Sequence, residues 1–257
     1  MPMKIASWNV NSVKARKDHL LKWLKENSPD ILFIQELKTD GEHYPEEDVK
    51  ALGYVSEIRG QKGYAGVATI IKGDIDYTLI SKDLLGKDEQ ARYIEIEVGG
   101  TRMINIYAPN GNPYPSEKFD FKCNWYKALV EKAKAYIKDE KPFLIGGDFN
   151  IIPEDKDCYD PNAWRDDALF VLEAKSFYRQ LVNNGMSDAF RVFNGAGEHY
   201  TFWDYQAGAW QRGNGIRIDH FMLSPAATDR LKSCSIDKEP RGWEKPSDHT
   251  PICIELA

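Results

Sequence analysis

Six stretches of the chain deliver oxygen- and nitrogen-bearing side chains of the kinds that bind metals and move protons. Residues 4–10 lead to Asn9, and 30–37 lead to Glu36 within "FIQELK". Residues 102–108 lead to Tyr107 and then Asn110, and "FLIGG" leads to Asp148 and Asn150. "IRIDHFMLS" carries Asp219 among apolar neighbours, and "PSDHTP" sets Asp248 and His249 ahead of the last strand-like run. Each has an ordinary explanation: a helix cap for Asn9, a surface charge for Glu36, turns for "GGDFN" and "SDH". Asp219 resists such an explanation, because a buried carboxylate is costly without a partner. One chemistry accounts for all six. Glu36 and Asp248 are hard oxygen ligands suited to Mg²⁺ or Mn²⁺, and no Cys/His cluster argues for zinc. Asp219 and His249 suit a carboxylate–imidazole pair, in which the carboxylate fixes the tautomer and favours the charged ring. Asp148, held by Asn9 and Asn150, can orient or deprotonate water. Together these parts describe metal-assisted hydrolysis of a phosphate ester.

The elements that must position these groups are strands. Strand-like runs cover 4–10, 30–37, 66–72, 93–98, 102–108, 142–145, 218–223 and 251–256. Several are rich in β-branched residues and bounded by Gly, Pro, Asn or Asp. "YIEIEV" alternates strictly and is expected to have one wet face, whereas "ILFIQ" and "FLIGG" are continuous and should be buried on both faces. Helical periodicity is found at 15–26, with Leu20, Leu21 and Leu24 on one side, and at 117–138, with Phe121, Trp125, Leu129 and Ala133 at four-residue steps. A third helix is expected over 166–184, stopped by Gly185. Strands outnumber helices and often follow one another directly. The expected architecture is therefore α/β, with two mixed β-sheets packed face to face and helices outside.

The chain's 257 residues are 42% hydrophobic and 29% charged, with no repeat and no linker-like composition. One domain spanning 1–257 is expected. The absence of an apolar run of about 18 residues argues against a membrane span. The four cysteines (Cys123, Cys158, Cys234 and Cys253) form no C-x-x-C pair, so free thiols in a reducing cytoplasm are expected. A formal net charge of −6 argues against coating nucleic acid by bulk charge, but leaves room for a local basic track beside an acidic site.

The ordered set "WNVNS", "IQELK", "QKGYAGVA", "YAPNG", "GDFNIIP", "RIDHFMLS" and "SDHTP" resembles the exonuclease III family of apurinic/apyrimidinic endonucleases, within the larger endonuclease/exonuclease/phosphatase superfamily. The resemblance extends from residue 4 to residue 256. It implies a four-layered α/β sandwich. It implies Glu36 as the principal Mg²⁺ ligand, with Asn9 and Asp248 nearby and Mn²⁺ able to substitute. It implies that Asp148 orients or activates water with support from Asn150, that His249 paired with Asp219 contacts the scissile phosphate, and that Tyr107 and Asn110 stand on the phosphate side. Members of the family usually cut double-stranded DNA 5′ to an abasic site, and many trim blocked 3′ ends or act as 3′→5′ exonucleases. A cytoplasmic monomer, held at the nucleoid by DNA, is expected.

The branch of the superfamily is read from "YTFWDYQAGAWQRGNGIRID", which resembles the wall of a pocket for a flipped, base-free sugar lined by Phe202, Ile216 and Ile218. Such a pocket selects by shape, and the lesion has no base pairing to lose. Ile216 stands where some members carry an aromatic residue, which leaves the balance between lesion cleavage and exonuclease trimming open. Gln206, Trp210 and Arg212 are expected to enter the duplex or hold its backbone. Lys62 and Tyr64 match a DNA-contact loop. Lys38, Lys62, Arg212 and Arg217 are the basic residues expected at phosphates, Arg217 alternatively neutralising Asp219. Trp164 and Arg165 are read as fold elements. Two other readings stand beside this one: a superfamily phosphodiesterase acting on RNA or a small phosphate ester, and a DNA-binding protein that has lost catalysis.

Overall fold

Two features of the sequence, continuous apolar strands and helices with one apolar side, build four layers. The computed structural model describes residues 2–86, 89–195 and 197–257. In chain order its strands are β1 (Met3–Asn9), β2 (Ile31–Gln35), β3 (Tyr54–Arg59), β4 (Val67–Lys72), β5 (Tyr77–Ser81), β6 (Tyr93–Val98), β7 (Thr101–Tyr107), β8 (Phe143–Asp148), β9 (Ser187–Asp188), β10 (Asp219–Leu223), β11 (Leu231–Ile236) and β12 (Ile252–Leu256). They form two six-stranded sheets, ordered β11-β12-β1-β2-β4-β3 and β5-β6-β7-β8-β10-β9. Both are mixed: β1 and β2 run parallel, as do β7 and β8, and the other pairs are antiparallel.

The sheets face each other across Ile5, Ile31, Phe33, Val67 and Ile71 from one side and Ile94, Ile96, Met103, Leu144 and Phe221 from the other. A polar floor crosses this interface near the strand ends. Gln35 Nε2 donates to Asn105 Oδ1 at 2.8 Å and to Ser7 Oγ at 3.0 Å, and Asn105 Nδ2 donates to the Ala68 carbonyl at 2.8 Å. Outside the first sheet lie α1 (Lys17–Asn27) and α2 (Glu46–Ala51), with Leu20, Trp23, Leu24 and Val49 buried against it. Outside the second lie α3 (Glu117–Lys138) and α4 (Leu172–Asn183). Ser116 caps α3 by accepting from the Phe119 N–H, which fixes where that helix begins.

Some local expectations are corrected. The face of "YIEIEV" expected to be wet is covered by α3. Glu95 is wholly buried and receives Arg102 at 2.8 Å, Lys132 at 2.9 Å and the Tyr136 hydroxyl at 2.7 Å. Phe121 leaves the apolar stripe of α3 and is exposed, whereas Phe119, Trp125, Tyr126, Leu129 and Ala133 carry the packing. The third helix begins at Leu172 rather than at 166, because the segment before it folds into turns against Asn112.

Candidate active site

Strand pairing brings the polar groups to one rim of the sandwich. Asn9 is level with Gln35 in the parallel β1–β2 pair, so Asn9 and Glu36 leave neighbouring strands side by side. Tyr107 is level with Asp148 in the parallel β7–β8 pair, and Asp148 lies directly across from Asp219 in the antiparallel β8–β10 pair. The turn before β12 is pinned to β1: Ser247 Oγ donates to the Asn9 carbonyl at 2.7 Å, and Trp8 Nε1 donates to the His249 carbonyl at 3.2 Å. Two residues leave their strands in the left-handed region, Glu36 at φ 55° and Asn150 at φ 48°. Strain of this kind persists where the surrounding structure holds it, often at functional sites.

Asn9 is the hinge pin of the cluster. Its Nδ2 donates to Glu36 Oε1 at 2.8 Å and to Asp148 Oδ2 at 2.9 Å, while its Oδ1 accepts from the Asn11 N–H. The other Asp148 oxygen accepts from the Asn150 N–H at 2.8 Å. Asn150 Nδ2 donates to the Ala108 carbonyl, and Asn110 Nδ2 donates to Asn150 Oδ1 at 3.2 Å. Asp219 Oδ2 lies 2.8 Å from His249 Nδ1, and the Thr201 hydroxyl accepts from the Asp219 N–H. Asp219 Oδ1 is buried with no hydrogen-bond partner.

These contacts set the protonation states. Burial, joined by the charges of Asp219 and Glu36, pushes Asp148 up to about 7 against the opposing pull of His249. Burial would lower His249, but Asp219 and Asp148 overcome it and raise the imidazole to about 10. Burial would raise Glu36, yet Lys38 at 2.9 Å and the Asn9 amide hold it below the usual carboxylate range. Burial and the nearby Glu36 and Asp148 charges keep the Tyr107 phenol protonated well past its ordinary value.

Glu36, Tyr107, Asn110, Asp148, Asn150, Phe202, Ile218, Asp248 and His249 border one cleft of about 320 Å³. One ligand atom each from Glu36, Asp148 and His249 lies within 4.8 Å of the others. The donor set fits a divalent cation: among the described residues, Glu36, Asp148 and Asp219 form close ion pairs only with Lys38 and His249, and one oxygen of Asp219 is unpartnered. Oxygen donors of this kind suit Mg²⁺ or Mn²⁺. Asp248 stands at the edge of the cluster, its Oδ1 accepting from Asn11 Nδ2 at 3.0 Å.

The remaining sequence-predicted residues separate into groups. Phe202 packs edge-on against His249, with ring centroids 5.0 Å apart, and Ile218 faces the same cleft. Ile216 lines instead an adjoining cavity of about 200 Å³, shared with Phe202, Trp164 and Gln206. Tyr64 is half exposed in a groove beyond Asn110, and Lys62 and Arg212 are exposed. Trp210 is partly buried, its ring 4.8 Å from that of Trp203. Arg217 is corrected. It neutralises neither phosphate nor Asp219 but is wholly buried between Asp157 at 2.7 Å and Asp188 at 2.8 Å. Trp164, read as a fold element, lines both the cleft and the adjoining cavity. Sequence reasoning missed Arg92, whose guanidinium lies 4.6 Å from the Tyr107 ring and donates to the Tyr107 carbonyl. It also missed Asp167 and Asp204 on the cleft wall.

Residues 6–249 match the model of the endonuclease/exonuclease/phosphatase family. Exodeoxyribonuclease III of Haemophilus influenzae is 33% identical over 266 residues, covering 99% of this chain and all of the relative. Among solved structures, an AP endonuclease from Archaeoglobus fulgidus superposes with a TM-score of 0.89 at 34% identity, covering 99% of each chain. The 3′ phosphatase NExo from Neisseria, bound to a product DNA hairpin, superposes with a TM-score of 0.91 at 37% identity, again over 99% of each chain.

Proposed function

The chain belongs to the endonuclease/exonuclease/phosphatase family, among the exodeoxyribonuclease III-type and AP endonucleases of DNA repair, and we propose that it uses Mg²⁺ to cut double-stranded DNA 5′ to abasic sites and to trim blocked 3′ ends. The observation that carries this reading is the convergence of Asn9, Glu36, Asp148 and an Asp219-paired His249 on one cleft walled by Phe202 and Ile218.

In this reading Glu36 holds the cation, with Asn9 and Asp248 beside it. When bound, Mg²⁺ draws off negative charge developing on the phosphate oxygens. Asp148 takes the proton of the attacking water; a carboxylate raised to about 7 is matched to a base working near neutral pH. Asn9 and the Asn150 N–H fix its two oxygens so that it points one way. His249, kept cationic by Asp219, and the protonated Tyr107 donate to non-bridging oxygens of the phosphate. The water oxygen bonds to phosphorus as the bond to the 3′ oxygen breaks; that oxygen takes a proton from solvent, which leaves a 3′-hydroxyl and a 5′-phosphate. Phe202 and Ile218 accept the base-free sugar. Lys62, Tyr64 and Arg212 meet the duplex backbone, which positions it without reading sequence. The protein acts as a cytoplasmic monomer, held near the nucleoid by the DNA. No helix among the described residues is long and apolar enough to cross a membrane.

The test is a substrate panel with Mg²⁺ or EDTA: an end-labelled duplex with one abasic analogue, an intact duplex, a duplex ending in a 3′-phosphate, an RNA strand and a small phosphodiester. A single metal-dependent cut 5′ to the lesion is expected, together with removal of the 3′-phosphate. Turnover confined to RNA or the small ester would overturn the proposal.

A further inference from the structure

We infer that Lys122 is a positioning residue whose ammonium clamps together the three chain segments that carry the cleft, an assignment that rests on the reaction proposed above. Lys122 lies on α3 and is fully buried. Its Nζ donates to three backbone carbonyls: Asn110 at 3.0 Å, Asn150 at 2.6 Å and Ala168 at 2.9 Å. Burial lowers this amine to about 7 against the pull of Asp167 and Asp148, while the three carbonyls, all acceptors, engage every N–H of its charged form.

The three carbonyls belong to separate parts of the sequence. The first follows β7 and carries Asn110. The second follows β8 and carries Asn150, whose N–H holds Asp148 Oδ1. The third lies between Asp167 and Leu169, both on the cleft wall. The segments also touch one another, since Asn110 Nδ2 donates to Asn150 Oδ1 and Asn112 Nδ2 donates to the Asp167 carboxylate at 3.1 Å. Single backbone bonds flank the clamp, from the Ala108 N–H to the Asp148 carbonyl at 2.8 Å and from the Ile152 N–H to the Leu169 carbonyl at 2.9 Å. Lys122 supplies the shared anchor from beneath, and Asp148 inherits its orientation through Asn150. The surroundings are shaped to admit the side chain. A Cβ on Gly111 would come within 2.8 Å of the Lys122 Cδ, so the residue beside Asn110 must be glycine for the stem to pass. The Ser116 cap fixes the start of α3 and hence the point from which Lys122 rises.

A lysine that merely filled the core would affect stability alone. A clamp affects the turnover of the folded enzyme, because a displacement of about 1 Å in a catalytic group costs on the order of 100-fold in rate. Lys122→Met removes all three donors, and Lys122→Gln retains two. Each is compared with the wild type on the abasic duplex with Mg²⁺, with rates taken per folded molecule. Hydrogen exchange at the Asn150 amide is read against that at Ile5 in β1. The expected result is a fall in kcat of about 10- to 100-fold for Lys122→Met, a smaller fall for Lys122→Gln, KM for the duplex within about twofold, and faster exchange at Asn150 but not at Ile5. If Lys122→Met does not fold, Lys122→Gln decides. Unchanged kcat per folded molecule overturns the assignment. A wild type that leaves the abasic duplex intact overturns the proposed activity instead; the exchange measurement then decides whether Lys122 fixes Asn150, and unchanged exchange overturns that.

Discussion

Asp148 and Asp219 face each other across the β8–β10 pairing, and both reach one imidazole: Asp219 Oδ2 is 2.8 Å from His249 Nδ1, and Asp148 Oδ2 is 3.8 Å from Nε2. His249 is therefore the common counter-charge of two buried carboxylates. Residues acting as such a unit lose function non-additively. His249→Gln is expected to lower kcat by about 100-fold or more, Asp219→Asn by a similar order, and the double variant by little beyond the worse single one. A double-mutant cycle on kcat checks this; additive losses would mean that the two residues act separately.

Glu36 carries the proposed metal site, with Lys38 as its resident counter-ion at 2.9 Å. Replacing Glu36 by Ala is expected to raise the Mg²⁺ concentration for half-maximal cleavage by about tenfold or more. An unchanged Mg²⁺ titration would remove Glu36 from the ligand set.

The end of β8 depends on Gly147, which has φ 142° and whose added Cβ would run into the Ile106 carbonyl of the neighbouring strand. Gly147→Ala is expected to cost about 3 kcal/mol or more, since neither the backbone nor the packed strand can yield cheaply. The urea midpoint reports it, and a wild-type midpoint would contradict it.

His220 gives the fold a pH-dependent weakness away from the cleft. Its Nε2 meets the Ile151 carbonyl, so the ring donates there and accepts from Arg217 at Nδ1, 2.9 Å away. Burial and the Arg217 charge lower it to about 4, from 6.5 in the unfolded chain. Between these values the unfolded chain binds a proton at His220 that the folded one refuses, so the contribution of His220 to stability falls as pH drops from about 6.5 towards 4. The contribution lost on going from pH 7 to pH 5 is about 2 kcal/mol. Because Asp148, raised to about 7, contributes in the opposite sense over the same window, the check is comparative: on going from pH 7 to pH 5 the stability of His220→Gln, from urea midpoints, is expected to change more favourably than that of the wild type by that amount, and an equal change in both proteins would refute the assignment.

The sequence revealed the interior of the fold better than its margins. The eight strand-like runs correspond to β1, β2, β4, β6, β7, β8, β10 and β12, which are the strands paired on both sides. The four that went unread, β3, β5, β9 and β11, are the four sheet edges. Edge strands bury less and carry more polar residues, as in "LKSCSI" of β11, so their apolar signal is weak. The cleft followed the same rule. Asn9, Glu36, Asp148 and Asp219 were legible because each stands out against an apolar strand. Lys122 and Arg92 were not, because a buried cation on a helix or at a strand start looks in sequence like any surface charge. Arg217 misled for that reason: only the three-dimensional structure reveals Asp157 and Asp188 around it.

The central claim is that Asp148 drives the chemistry and does not hold the DNA. The most direct measurement is single-turnover cleavage of an abasic-site duplex by the wild type and by Asp148→Asn with saturating Mg²⁺, alongside duplex binding in Ca²⁺. The cleavage rate is expected to fall by about 100-fold or more with the dissociation constant within about threefold of wild type. A variant that cleaves at the wild-type rate, or that loses binding in proportion to cleavage, would contradict that claim.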